Sequence, residues 1–281
     1  MSGEWRLLEV EWPEDPYLNL AAEEAIARAV GEGVAPTTLR FWRNANAVVI
    51  GAFQCASLEV RSRECLRHGV KVVRRFTGGG AVYHDIRNLN FAVSFRKPSP
   101  IPGDSIMKAY EAVGKAIVSG FGKLGVEAEF VPINDIQVRG RKICGMAGTL
   151  SRSLLFVHGC ILVGSNLEIL SRVLNVPKEK LEAKGVGKVR ARVTTLIDEL
   201  GREVGMDEVK DALKRGFEEV FDVEIVPGEL TEWERKMINE LYEKKYSTIE
   251  WNLGPCVKCP DRERDLKIFE KFGLISVKGE L

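Results

Sequence analysis

Glutamine is almost missing from this chain, with Gln54 and Gln137 the two examples in 281 residues, while lysine and glutamate abound. That bias fits a hyperthermophilic source, where a disulfide inside the cell is less surprising than usual. No apolar run reaches the ~18 residues of a membrane span. The start, Met1-Ser2-Gly3-Glu4-Trp5-Arg6, has neither a basic n-region nor an apolar h-region, so the expectation is a cytosolic protein with no membrane partner. An excess of either charge is also lacking: 41 Lys and Arg face 40 Asp and Glu, for a net charge of +1. Bulk electrostatic binding of nucleic acid is thereby excluded, and any anion site must be local. Six cysteines, at positions 55, 65, 144, 160, 256 and 259, are too few for a secreted disulfide framework in a chain this long. There is no internal repeat and no low-complexity linker.

What remains is an ordinary globular composition, 45% apolar and 29% charged, with enough length for one large domain or for a domain of roughly 200 to 250 residues plus an appendage. Helices are expected from Tyr17 to Ala29, about Leu58 to His68, near Leu167 to Leu174 and from Asp207 to Phe221. Strands are expected at Thr38 to Trp42, Ala47 to Gly51, Val70 to Val73, Leu89 to Phe95, Val126 to Phe130 and Leu154 to Val163, with a hairpin around Arg139-Gly140. Asp104 is a candidate N-cap for a long helix whose Ile106, Tyr110, Val113, Ile117, Phe121 and Leu124 share one face, the stripe of a core-packed helix. Thr231-Glu232-Trp233-Glu234 has the spacing of a capping box opening a helix to about Tyr242. Helices and strands interleave without strict βαβ alternation, so the fold class is α+β, a mixed or antiparallel central sheet flanked by helices. The break at Trp251-Asn252-Leu253-Gly254-Pro255 divides a main domain, residues 1–253, from a short tail, residues 254–281.

The strongest local signal is Arg74-Arg75-Phe76-Thr77-Gly78-Gly79-Gly80-Ala81-Val82-Tyr83-His84-Asp85, in which a glycine run joins two extended segments. Three glycines remove every Cβ, so backbone N–H groups can approach a ligand, and two arginines offer fixed charge for a carboxylate or phosphate. By itself the run is equally a tight turn beside solvated arginines. It is neither a Walker loop nor a Rossmann fingerprint, since neither spacing is present.

These residues resemble the signature of the lipoate-protein ligase A family, within the biotin and lipoate ligase superfamily. The resemblance continues in order through Leu18-Asn19-Leu20-Ala21-x-Glu23-Glu24, Trp42-Arg43-x4-Val48-Val49-Ile50-Gly51, Asn134-Asp135, Gly140-Arg141-Lys142-Ile143-x-Gly145-x-Ala147 and His158-Gly159. It ends with Ala183-Lys184-Gly185-x4-Arg190-x-Arg192-Val193-Thr194 and Lys244-Lys245-Tyr246-x4-Trp251-Asn252, and so covers about residues 4 to 253. It implies the catalytic-domain fold of that superfamily and an enzyme that activates lipoate, or octanoate, with ATP and passes the acyl group to a lysine of a lipoyl carrier domain. Such carriers are the E2 subunit of a 2-oxoacid dehydrogenase or the glycine cleavage H protein.

Within the resemblance Lys142 aligns with the essential lysine, whose point charge would stabilise developing negative charge in both half-reactions. Arg75, Thr77, Gly78, Gly79, Gly80 and His84 would bind lipoate or its adenylate. Asn134 and Asp135 would meet the nucleotide, Asp135 also its Mg²⁺. Lys184, Gly185, Arg190 and Arg192 would belong to a loop closing over the nucleotide. Read without the family, Lys142 is a solvated hairpin lysine, Asn134-Asp135 a turn pair, His84 a structural histidine and the 184–192 stretch a basic loop.

Two positions depart from the pattern: Arg87 stands where glycine is usual, and Cys144 where a small serine is common. Related acyltransferases use a cysteine nucleophile to move octanoyl between carriers without ATP, which makes Cys144 and Cys160 candidates; Cys160, within an apolar strand, is expected to be buried and inert. The family's complete ligases carry a larger C-terminal accessory domain, which in some archaeal members is a separate protein. A two-chain ligase, or a chain that alone only binds and transfers the lipoyl-adenylate, is therefore a further expectation. The pair Cys256-x-x-Cys259 reads as a local structural clip, as half a zinc knuckle or as a site completed by a partner.

Overall fold

The computed structural model describes residues 3–175, 191–254 and 262–271. Among them, eight strands form one mixed sheet and three form a second. The large sheet runs in the order β11 (Val223–Pro227), β1 (Gly3–Leu8), β2 (Thr38–Trp42), β6 (Asn88–Arg96), β10 (Leu154–Leu162), β9 (Arg141–Leu150), β8 (Asp135–Val138) and β7 (Glu129–Val131). Strand β1 is parallel to both of its neighbours, and every pairing from β2 to β7 is antiparallel. The small sheet holds β3 (Asn46–Ile50) between β4 (Lys71–Arg74) and β5 (Val82–Asp85), so the glycine run joins two edge strands.

One face of the large sheet is hydrocarbon. Leu39, Phe41, Leu89, Phe91, Val93, Val157 and Ile161 alternate along β2, β6 and β10 and meet Val113, Ile117 and Phe121 of α4 (Ile106–Lys123) and Leu213 and Phe217 of α7 (Met206–Phe221). Strict alternation of this kind gives a strand one buried apolar face whatever lies on the other. The other face is covered by α1 (Pro16–Glu32), which packs on β6 and β10. Leu20, Ala21, Ala25 and Ile26 of α1 join Trp42, Val49 and Val73 in a second cluster with α8 (Glu232–Leu241). A third cluster places Val48 and Ile50 of the small sheet against Ile249 of α9 (Ile249–Leu253) and Phe269 of α10 (Arg262–Lys271).

The long helix is present, with the predicted stripe, but Ser105 rather than Asp104 precedes it. Asp104 has a left-handed φ of 46° and its carboxylate accepts from the Ser99 amide and hydroxyl instead. The helix expected from Leu58 to His68 is two short ones, α2 (Ala56–Glu59) and α3 (Ser62–Arg67), separated where Val60 bridges to Leu174 at the end of α5 (Leu167–Val173). Tertiary pairing outbids local helix propensity there. The capping box at Thr231 and Glu234 forms as read, and the Arg139-Gly140 hairpin closes with both residues at positive φ, a reason for glycine at 140. Among the described residues no helix is long and apolar enough to cross a membrane. Cys55 is disulfide-bonded, whereas Cys65, Cys144 and Cys160 are free thiols; the reading of Cys256 and Cys259 lies outside the described residues.

Candidate active site

Directly paired residues on adjacent strands point to the same side of a sheet, so register alone assembles a row of side chains. Trp42 pairs with Asn90, Asn90 with Cys160, Cys160 with Gly145 and Gly145 with Asp135. A second row, two residues along, runs Arg40, Ala92, His158, Ala147. Both rows lie on the side away from α4 and α7. A cavity of about 140 Å³ runs over them, roofed by Gly79, Gly80, Ala81, Val82 and His84 of the small-sheet connection, with Leu20 of α1 and with Arg75, Asn134 and Lys142 also on its wall.

Lys142 reaches that cavity because of a bulge. Ile136 pairs with Cys144 and Gln137 with Lys142, leaving Ile143 without a partner. Ile143 and Cys144 therefore both face the hydrocarbon core, and the next side chain back, Lys142, turns to the opposite side, the re-aiming that bulges produce. Its ammonium lies over Gly145, where a Cβ would come within 2.6 Å of Nζ, and forms a 2.6 Å ion pair with Asp135. The Lys142 backbone is clamped as well: its N–H donates to the Arg192 carbonyl at 2.8 Å and its carbonyl accepts from Thr194 at 2.9 Å. Glu199 of α6 (Leu196–Leu200) closes the clamp by accepting from Arg141 at 2.5 Å and from the Thr194 hydroxyl at 2.6 Å.

The two arginines before the glycine run point inward rather than toward solvent. Arg74 is fully buried and donates to the carbonyls of Gly51, Ala52 and Gln54 on one side and of Trp251, Asn252 and Leu253 on the other. Arg75 donates to the Thr77 hydroxyl and to the carbonyls of Val49, Gly78 and Gly80, so it holds the loop shut from within while one edge lines the cavity. Burial pulls its pKa down to about 10, against the pull of Glu23, which still leaves it charged near neutrality. Gly79 sits at φ 93°, and a Cβ on Gly51 would lie 2.3 Å from the Gly79 carbonyl oxygen, so this crossing admits glycine alone.

Beneath the loop, Thr77, His158 and Glu23 are linked: the Thr77 hydroxyl is 2.7 Å from His158 Nε2 and His158 Nδ1 is 2.8 Å from the Glu23 carboxylate. The Thr77 oxygen also accepts from Arg75 Nε, which ties this link to the arginine that holds the loop. All three side chains are buried, and the link fixes the loop over α1. His84 is buried too, and burial, then the charge of Arg75, pull its pKa down to about 3, so it is a neutral imidazole. The sequence offered no sign of the Glu23–His158 contact, 135 positions apart; period-two alternation in β10 could have placed His158 and Cys160 on one face.

The expected binding residues therefore gather in part. Lys142, Asn134, Arg75, Gly79, Gly80 and His84 line one cavity, with Thr77 and Gly78 behind it, and Asp135 is joined to the site through its ion pair with Lys142 rather than by lining the cavity. Asn134 donates its amide to the Met146 carbonyl. Arg192 contributes its carbonyl to the Lys142 clamp while the residue itself is exposed. Lys184, Gly185 and Arg190 lie outside the described residues. Arg87 adds no cavity contact: its guanidinium pairs with Glu203 at 2.7 Å, and Asp85 satisfies its backbone amide. For Mg²⁺, Asp135 offers one carboxylate that already neutralises Lys142, and among the described residues no group of three His, Cys, Asp or Glu side chains gathers. Among the described residues no protein cage for the ion is built, and Asp135 would add one oxygen to those of phosphates.

The two site cysteines are separated by the sheet. Cys144 packs in the core beneath α4 and α7, and burial pushes its thiol well above the usual range. Cys160 faces the cavity, as alternation along β10 requires, and burial raises its thiol too, although Lys142 and Arg75 pull the other way. Cys160 is thus buried as expected, but on the reactive face and not among apolar side chains.

A profile of the lipoyl protein ligase A/B catalytic domain matches residues 15–218. Lipoate-protein ligase A subunit 1 of Thermoplasma acidophilum is 38% identical over 261 residues, covering 89% of this chain and 97% of that one. Octanoyltransferase LipM of Brevibacillus brevis is 30% identical over 89% of this chain and 99% of its own length. Among solved structures, the bipartite lipoate protein ligase of T. acidophilum, described with its E2 lipoyl domain, superposes with a TM-score of 0.82 at 37% identity, over 91% of this chain and 98% of that one. A lipoate-protein ligase A bound with ATP gives 0.79 at 36% identity, over 90% and 99%. The mixed sheet, the glycine loop on its buried arginines and the lysine turned in by a bulge are thus set in a chain that belongs to the lipoyl protein ligase A/B catalytic domain family.

Proposed function

We propose that this enzyme is an ATP-dependent lipoate-protein ligase that activates lipoate as its adenylate and transfers the acyl group to a lysine of a lipoyl carrier domain. In the first step a lipoate carboxylate oxygen attacks the α-phosphorus of ATP and pyrophosphate leaves. In the second the carrier amine attacks the acyl carbonyl, AMP leaves with the bonding electrons, and the amine's proton passes to solvent. Lys142 would sit beside the carboxyl and α-phosphate, its fixed charge stabilising the negative charge that develops in both steps. The incoming acid takes the place of the Asp135 carboxylate as its partner. One observation carries the reading: the ammonium of Lys142 projects into the cavity from a backbone clamped on both sides, whereas the one free thiol on that wall is held in its neutral form by burial. Two relatives add weight, one a ligase subunit and one a ligase bound with ATP. Mg²⁺ would accompany the nucleotide, held mainly by phosphate oxygens.

The catalytic unit proposed is residues 1–253, working in the cytoplasm with a separate accessory protein, as the bipartite T. acidophilum ligase suggests. The carrier would be an E2 subunit or a glycine cleavage H protein. Lys184, Gly185 and Arg190 are retained as the nucleotide-closing residues of this proposal.

Cysteine-dependent octanoyl transfer is the second reading, favoured by Cys160 on the same wall as Lys142 and by the LipM relative. The test is incubation with lipoate, ATP-Mg and a lipoyl carrier domain, with and without a candidate accessory protein, followed by mass measurement of the carrier and of released pyrophosphate. Lipoylated carrier formed only with ATP supports the ligase. An octanoyl thioester on Cys160, formed from acylated carrier without ATP, establishes the transferase instead. Pyrophosphate release needing the second protein, with transfer from preformed lipoyl-adenylate proceeding alone, supports a two-chain enzyme.

A further inference from the structure

Strand β10 runs beside β9 but stops pairing with it short of the lysine. The pairing ends where Ile161 meets Cys144, so the edge of β9 at Lys142 lacks its sheet neighbour. Residues 192–194 fill that edge as an isolated parallel bridge, Lys142 to Val193, made of the two backbone hydrogen bonds to Arg192 and Thr194. A bridge this short has no ladder on either side to hold it, and contacts of that kind open first when a structure fluctuates. Something else has to fasten it.

Glu199 is placed to do so. Its side chain is 1% exposed, and Oε1 accepts from Arg141, beside the lysine on β9, and from the Thr194 hydroxyl, across the bridge. One oxygen therefore ties together the two sides of the bridge. The helix that carries it is itself fixed to the strand forming the cavity floor. The Ile197 N–H donates to the Val163 carbonyl at 2.9 Å, just beyond β10, Leu196 is buried in the main core, and the Thr195 hydroxyl caps the helix by accepting from Asp198. Stability does not account for this carboxylate. Oε2 is buried with no hydrogen-bond partner among the described residues, and Arg139 Nη2 stays 3.8 Å away. A buried carboxylate with one oxygen unsatisfied is costly compared with an apolar side chain of its size.

We infer that Glu199 is a positioning residue for Lys142: by joining Arg141 to Thr194 it holds the lysine's backbone in register with the floor strand, so that the ammonium meets the reacting carboxyl and phosphate at a fixed geometry. The inference rests on the ligase reading above. Glu199 touches no reacting group, since its carboxylate is turned to Arg141 and Thr194 and it does not line the cavity. A displaced lysine still attracts the acid by its charge, which varies gently with distance. The chemical step is less tolerant, because a shift of about 1 Å at the reacting centre can cost about 100-fold in rate. The effect of Glu199 therefore belongs in kcat rather than in the binding of lipoate.

The test compares Glu199→Ala with Glu199→Gln, which loses the charge but keeps an acceptor for Arg141 and Thr194. Pyrophosphate release and carrier acylation from preformed lipoyl-adenylate are followed on the full chain, with the candidate accessory protein present, beside calorimetric affinity for lipoate and the melting curve. Glu199→Ala should lower kcat about 10- to 100-fold while lipoate affinity stays within about twofold, and Glu199→Gln should recover most of that loss. If the alanine variant does not fold, Thr194→Val, which removes one of the two donors, takes its place with a loss of about fivefold, the scale of one net hydrogen bond. An unchanged kcat in the folded variant, a loss that lies in lipoate affinity instead, or a glutamine variant no better than alanine overturns the positioning role and leaves the ligase intact. A wild-type chain with neither ATP-dependent pyrophosphate release nor transfer from the adenylate overturns the ligase reading and this role with it.

Discussion

The two faces of the large sheet are built from the same strands by opposite rules. Toward α4 and α7, Phe91, Val93, Val157, Ile161 and Cys144 meet only hydrocarbon. Toward α1 and the glycine loop the same strands bury Arg40, Asn90, Ser94 and His158. The first face stabilises by area removed from water. The second is polar and must satisfy each group individually. One sheet thus separates stability from chemistry, and the cysteine pair samples both sides.

The sharpest way to test that division is to damage each face in turn. Phe217→Ala, in the core between helix and sheet, should cost about 3–5 kcal/mol in chemical denaturation and leave the affinity for acid unchanged in the folded fraction. Lys142→Ala should do the reverse, with an unchanged melting curve and a loss of about 10²–10³ in both adenylate formation and carrier acylation, measured as pyrophosphate release and carrier mass. An active Lys142→Ala protein would remove the proposed role.

Acid should expose the polar face. The buried His84 has a folded pKa lowered to about 3, below an unfolded value near 6.5. Above that unfolded value both states are neutral and nothing is lost. As the pH falls from about 6.5 toward 3 the unfolded chain binds a proton that the folded one refuses, so stability drops by up to ~1.4 kcal/mol per pH unit from this group. Denaturation midpoints of the wild type and His84→Phe, followed from pH 7 to pH 5, should converge as the pH falls.

Smallest of all should be the serine exchanges. Cys144→Ser places a hydroxyl in hydrocarbon and should cost about 1–3 kcal/mol, whereas Cys160→Ser, on the polar wall, should cost less and retain ATP-dependent activity. Loss of turnover in Cys160→Ser with unchanged stability would move the enzyme toward thioester chemistry.

Much of the first face was legible because it is periodic: the stripe from Ile106 to Leu124 and the alternation in β6 and β10 repeat at spacings that residues alone reveal. The glycine loop and Lys142 were legible through resemblance. Less of the second face was. The unpaired Ile143 that turns Lys142 inward depends on how β8 meets β9, and nothing in the local sequence announces a bulge. Arg74 and Arg75 look like surface charge in a sequence, because the carbonyls that accept from them come from Val49, Gly51 and Trp251, far along the chain. The split between α2 and α3 escaped for the same reason, since Val60 answers to Leu174.

Arg74 also says something about the order of events as the chain is made. Its guanidinium serves carbonyls of Gly51, Ala52 and Gln54, about 20 positions upstream, and of Trp251, Asn252 and Leu253, some 177 to 179 positions downstream. Until those last residues leave the ribosome, a permanently charged group has only half its acceptors, and burying it in that state would be costly. The loop it anchors cannot settle early. A nascent chain stopped before Trp251 should therefore hold its helices and hairpins while residues 74–80 stay open to protease, and release of the final segment should close them in one step.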